Sequence, residues 1–135
     1  MTASRFAPDP PATPGEVNAR LVEYADALEQ AQPELERLLA EHQRVSLAYE
    51  LRYAASVQTS EQRSEDRRKA EAIALMYEQR LPDSEVDLAT RKADLEMRIK
   101  AMREAGHNIR ASMNGLQTVA ANLRAEMSLG GGVRR

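Results

Sequence analysis

The chain has 135 residues, of which 42% are apolar and 30% are charged, and its formal net charge is −2. This length suits one domain. Only five residues are aromatic, and Ala, Leu, Arg, Glu and Gln dominate, which favours long helices over a β-sandwich or barrel. Because the chain has no Cys, disulfides, thiolate metal sites and cysteine nucleophiles are excluded. No apolar run approaches the roughly 20 residues that a membrane-spanning helix needs.

The N-terminal segment is predicted to be a disordered arm over residues 1–13, because Pro8, Pro10 and Pro11 cannot continue a helix. A helix start follows it. Thr13 can cap the helix, Pro14 suits its first position, and Glu16 can complete a capping box.

The first helix is predicted over about 14–57. Its stripe residues recur with alternating gaps of four and three: Val17, Leu21, Tyr24, Leu28, Ala31, Leu35, Leu38, His42, Val45 and Tyr49. Since this register passes Pro33 unchanged, we expect one helix with a kink near Pro33. The alternative, a break at Gln32 with Pro33 opening a new helix, stays open. A second apolar face consists of Leu39, Leu47, Leu51 and Ala54.

The middle helix is predicted over about 60–80, where Thr59 and Gln62 offer a capping box. Its apolar face is predicted to hold Ala70, Ile73, Ala74 and Tyr77. A turn at 81–84 follows, in which Ser84 can cap the next helix.

The third helix is predicted over about 85–129 and carries five heptad repeats, which are typical of coiled-coil packing. Gly106 is a small residue in this seam, where a partner helix could approach closely. Gly130–Gly132 are expected to end the helix and to open a flexible tail over 130–135. The seam is predicted to be an oligomer interface formed by Leu95, Ile99, Met102, Ile109, Met113, Leu116, Ala120, Leu123 and Met127.

Together these patterns predict an all-α fold of two long helices and one short helix in a single domain over 14–129, assembled as a homo-oligomer. Charge is unevenly distributed along the chain. Residues 1–87 carry 10 Lys/Arg and 17 Asp/Glu, a net charge of −7, whereas residues 88–135 carry 9 and 4, a net charge of +5. The opposite charges of the two parts can attract helices to each other within one chain or between chains.

Catalytic and metal sites are not expected. Glu104 and His107 form one Glu-x-x-His motif, but carboxylate-bridged di-iron bundles need two copies, and His42 has Leu39 at the corresponding position. No nucleophile–base pair is suggested by the spacings. We therefore expect a non-enzymatic protein with no cofactor, no metal and no small-molecule substrate.

Basic and aromatic residues around the middle helix are candidates for binding single-stranded DNA, because guanidinium groups suit phosphates and Tyr rings can stack on bases. The competing interpretation is a solvated helix surface with salt links between neighbouring turns. The candidates are Tyr49, Arg52, Tyr53, Arg63, Arg67, Arg68, Lys69, Arg91 and Lys92.

The outline over about 35–127 resembles the small helical proteins of tailed-phage recombination and replication modules, in particular the UvsY-type recombination mediators. The resemblance lies in a long helix ending in an Arg/Tyr segment at 47–53, a short basic helix at 67–71, and a long helix from Ala93 to Met127. It implies a ring-forming protein that binds single-stranded DNA and helps to load a recombinase.

Two functions therefore remain open. One is an oligomeric accessory protein of phage-type recombination that contacts single-stranded DNA, a recombinase or a single-strand-binding protein. The other is a structural or adaptor protein, such as a virion component, scaffold or inhibitor, that acts only through protein contacts. For either we expect no membrane association and a location in the cytoplasm, that of a bacterial host if the protein is phage-encoded.

Overall fold

The computed structural model describes residues 13–133, with side chains described from Thr13 to Leu129. Residues 1–12 of the arm predicted over 1–13, and the last two residues of the tail predicted over 130–135, lie outside this range. Three helices follow one another in the chain: α1 (Pro14–Thr59), α2 (Glu65–Met76) and α3 (Leu88–Val133). Within the described range the only β-type pairing is an isolated bridge between Arg80 and Asp87. The predicted all-α fold with three helices is confirmed.

Helix α1 begins as its sequence predicts. The Oγ1 of Thr13 accepts a hydrogen bond from the backbone N–H of Glu16 at 3.2 Å, and Pro14 takes the first helical position. The helix continues through Pro33, so the alternative of a break at Gln32 is wrong. The kink near Pro33 stays a prediction.

Helix α2 is shorter than the 60–80 predicted for it. Thr59 is the last residue of α1, and its hydroxyl donates to the carbonyl of Ala55 at 2.8 Å instead of capping α2. The cap is Ser64, whose extended backbone (φ −88°, ψ 143°) lets its Oγ accept from the N–H of Arg67 at 3.1 Å. Acidic Glu65 in the first turn adds a favourable interaction with the helix dipole.

The buried face of α2 also differs from the prediction. Ala72 and Met76 are fully buried, whereas Ile73 is 45% exposed and Tyr77 is 61% exposed. The helix carries apolar residues at helical spacing on two faces, and packing selects the face with Met76.

Helix α3 begins at Leu88, three residues later than predicted. Asp87 caps it by accepting from the N–H of Thr90 at 2.8 Å, while Ser84 closes the preceding turn by accepting from the N–H of Val86 at 3.1 Å. The hydrogen bond from Thr90 holds the pKa of Asp87 below its ordinary value. At the other end the helix runs through Gly130–Gly132 to Val133, because none of the described glycines adopts the positive φ that ends helices.

Contacts divide the described chain into two compact units. The three-helix unit, Gln32–Arg103, contains the second part of α1, all of α2 and the first part of α3. Its core is formed by Leu38, Val45, Met76, Leu88, Leu95 and Ile99. Burying each such side chain contributes about 1.5–3 kcal/mol relative to exposure.

Among the described residues, the two-helix unit contains 13–31 and 104–133. Its two helix segments run antiparallel. Pro14 and Asn18 of α1 line a cavity of about 230 Å³ with Ala120 and Arg124 of α3, whereas Leu28, farther along α1, lies beside Gly106. Val17 and Leu116 are its buried apolar residues among those described. Gly106 faces Leu28, but a methyl group there would stand 3.9 Å from the Leu28 side chain, an ordinary contact. The packing therefore does not require glycine.

Candidate interaction surfaces

The segment from Glu61 to Glu71 is exposed at every residue and includes four of the predicted DNA-binding side chains. Arg68 donates from Nε to the carbonyl of Gln62 at 2.6 Å, and the Nζ of Lys69 lies 3.3 Å from the carboxylate of Glu65. Within the described residues, the side chains of Arg63 and Arg67 have neither an ion pair nor a hydrogen bond. Four acidic residues alternate with the four basic ones between Glu61 and Glu71, so the segment is formally neutral.

Arg91, another predicted DNA-binding residue, is held inside an ion-pair cluster of the three-helix unit. Its side chain is only 14% exposed and donates to Glu41 at 2.6 Å and to Asp83 at 3.4 Å. Asp83 also accepts from Arg44 at 2.8 Å, and Glu41 from Arg37 at 3.2 Å. The guanidinium of Arg91, on α3, thus joins this helix to α1 and to the turn between α2 and α3. It is therefore poorly placed to bind a phosphate.

The charges in this cluster shift one another's titration. The hydrogen bond from Arg91 lowers the pKa of Glu41, and the hydrogen bond from Arg44 lowers the pKa of Asp83. The hydrogen bond to Glu41 in turn raises the pKa of Arg91. A groove of about 450 Å³ lies beside them and is lined by both signs of charge, with Arg98 and Asp94 opposite Arg37 and Glu41. This balance selects for neither an anion nor a cation.

The remaining predicted DNA-binding residues pack mainly against their own chain. Tyr49 and Tyr53 stack with ring centroids 6.2 Å apart, and both rings contact the core. Burial raises the pKa of Tyr49. The Nζ of Lys92 lies 4.7 Å from the centre of the Tyr49 ring, and Arg52 donates to the carbonyl of Arg80 at 3.1 Å. Both tyrosines are half-buried, and the Tyr49 ring is in contact with both Tyr53 and Lys92.

The predicted oligomer interface on α3 falls into two parts. Leu95 and Ile99 belong to the core of the three-helix unit, and Met102 packs against that core, so their own chain covers these three side chains at the predicted oligomer interface. The physical reason is that they pack in one core with Leu38 and Val45 of α1. The other residues lie in the two-helix unit, where burial falls from Leu116, 8% exposed, to Met127, 66% exposed. Ile109, Met113, Ala120 and Leu123 are half-buried there, and their role in an interface stays a prediction.

The two histidines occupy different settings. The Nε2 of His42 lies 3.1 Å from the Glu96 carboxylate and 3.3 Å from the Ser46 hydroxyl, so it joins α1 to α3. His107 is exposed. Within the described residues, no group of three or more His, Asp and Glu side chains is arranged to hold a metal ion.

Exposed apolar side chains on the outer faces of α1 and α3 form a further candidate surface. Leu47 is 56% and Leu51 64% exposed on α1, and Met97 is 72% exposed on α3. The sequence indicates the α1 face through its second apolar stripe. It does not indicate Met97, which lies outside the heptad positions.

None of the helices in the described part of the chain is apolar over enough of its length to span a membrane. Comparisons with protein-family models, with curated proteins and with solved structures find no match to this chain.

Proposed function

We propose that this chain is a non-enzymatic helical adaptor or scaffold protein that acts through contacts with other protein surfaces, its own copies included. One observation carries the proposal. Large apolar side chains, Leu47, Leu51 and Met97, are exposed on outer helix faces, while seven of the nine predicted DNA-binding residues make contacts within the chain. Exposed apolar faces are typical of protein interaction sites.

The second candidate is the accessory protein of phage-type recombination that contacts single-stranded DNA, in line with the resemblance to the UvsY-type mediators. Arg63 and Arg67 favour it, because both are exposed and neither is paired within the described residues. The four acidic residues in the same segment weaken it, since they repel phosphates.

A titration of a fluorescent single-stranded oligonucleotide, followed by anisotropy at low and moderate salt, separates the two. We expect no binding at micromolar protein, and the same result for the Arg67→Ala/Arg68→Ala variant. Salt-dependent binding by the native chain that this variant loses would overturn the proposal and support the DNA-binding candidate. A matched control is Arg98→Ala, because Arg98 is exposed but lies on α3, outside the basic segment of α2.

A further inference from the structure

Two outer faces of the three-helix unit are complementary to each other. The first, here called the leucine face, lies on α1 and consists of Leu47, Glu50, Leu51 and Ala54. At about 100° per residue, these four positions lie on the side of α1 opposite the buried Leu38 and Val45. All four side chains are exposed, so nothing in the described chain covers this face.

The second, here called the alanine face, lies on α3 and consists of Ala93, Met97, Lys100 and Ala101. These residues are also exposed, on the side of α3 opposite the buried Leu88 and Leu95. Its alanines leave hollows into which larger side chains can pack. Met97 adds a flexible apolar side chain at the centre.

The side chains of the two faces can be paired by size when the two helices run antiparallel. Pairing Leu51 with Met97 places Leu47 against Ala101 and Ala54 next to Ala93. A large side chain thus meets a small one at one end, and two small side chains meet at the other.

Charge then decides which faces pair. Glu50 and Lys100 have no ion pair or hydrogen bond within the described residues. Around its own helix axis, each of these two residues is displaced by about 60°, in the same rotational direction, from the centre of its face. When the two faces pack antiparallel, positions displaced in the same direction lie along the same edge of the contact. Glu50 of one copy therefore lies within about 3 Å, along the helix axis, of Lys100 in the other.

Pairing of like faces is disfavoured by the same geometry. Two leucine faces packed antiparallel about a two-fold axis would bring Glu50 against the second copy's Glu50. Two alanine faces would bring Lys100 against Lys100. Both arrangements place like charges together, which favours the mixed pair.

We propose that the leucine face of one copy docks on the alanine face of a second copy, antiparallel, so that copies join head to tail. This inference rests on the proposed function and names its partner. Because the two faces differ, the contact is heterologous and generates a closed ring or an open chain. The occupant is a second copy of this chain, not another protein.

Charge reversal tests the contact directly. We expect Glu50→Lys and Lys100→Glu each to weaken self-association of the full-length protein about five- to tenfold, measured by sedimentation velocity over a range of concentrations. The double variant Glu50→Lys/Lys100→Glu regains the native affinity. An equimolar mixture of the two single variants also regains it, because each then offers the face that the other lacks.

Glu61→Lys and Arg63→Glu are matched controls, since both positions are exposed and lie away from the two faces. Circular dichroism of all variants should match the native chain. A native chain that stays monomeric at high concentration overturns the inference. So does self-association that the single variants leave unchanged or strengthen. Neither result bears on DNA binding, whose titration tests the proposed function separately.

Discussion

At the scale of single residues, Arg91 best illustrates how tertiary structure changes the meaning of a charge. In the sequence it is one basic residue among several near the middle helix. In the structure it is 14% exposed and bonded to Glu41 and Asp83, which lie 50 and 8 residues away in the chain. No local pattern predicts a partner at such a separation. The sequence alone therefore does not distinguish Arg91 from a surface arginine.

Replacing Arg91 by Ala should lower the free energy of unfolding by about 1–2 kcal/mol at neutral pH, because the half-buried Glu41 loses its strongest hydrogen bond. Urea denaturation followed by circular dichroism measures this loss. Arg37→Ala is the matched control. It removes an arginine that contacts the same carboxylate but is 57% exposed, so we expect little change.

The effect of Arg91→Ala should also depend on pH. Arg91 lowers the pKa of Glu41, so the stabilisation is present above the ordinary carboxyl pKa and is lost as the pH falls through the lowered value. The native and Arg91→Ala proteins should therefore converge in stability as the solution is acidified below about pH 4. A difference that persists unchanged into strong acid would contradict the role given to this ion pair.

At the scale of elements, the sequence predicted the long helices better than the short one. The alternating gaps of four and three define α1 over many turns, and the Thr13 cap marks its start. Helix α2 has only 12 residues, with apolar side chains on both of its faces and two possible caps before it. Its start and its buried face are set by packing against α1 and α3. The local sequence pattern carries too little information to choose between the two caps or between the two apolar faces.

The buried face of α2 can be checked by two substitutions that lie three residues apart on the helix. Met76→Ala should cost about 2–5 kcal/mol, because this fully buried side chain leaves a cavity in the core of the three-helix unit. Ile73→Ala should cost about 1 kcal/mol or less, because Ile73 is 45% exposed. Thermal or urea unfolding of the two variants provides the measurement. Equal losses, or a larger loss for Ile73→Ala, would favour the face predicted from sequence.

At the scale of the whole molecule, the two compact units differ in how their apolar residues are covered. In the three-helix unit, α2 supplies Met76, which is one of the six buried residues of the core. In the two-helix unit, Val17 and Leu116 are the buried apolar residues among those described. The remaining heptad positions are half-buried, except Met127, which is 66% exposed. The heptad pattern of the sequence is the same in both units. The difference comes from a third helix, which the heptads do not encode.

This difference predicts unequal protection along the same helix. Amide hydrogen exchange, followed by mass spectrometry, should be faster for residues 14–31 of α1 than for residues 35–56, because fewer buried contacts oppose local opening in the two-helix unit. Residues 108–129 of α3 should likewise exchange faster than residues 90–103. The measurement is made at a concentration where the chain is monomeric, since a partner on either unit would add protection. Uniform exchange along α1 would mean that both units open together, and the third helix would then not set local stability.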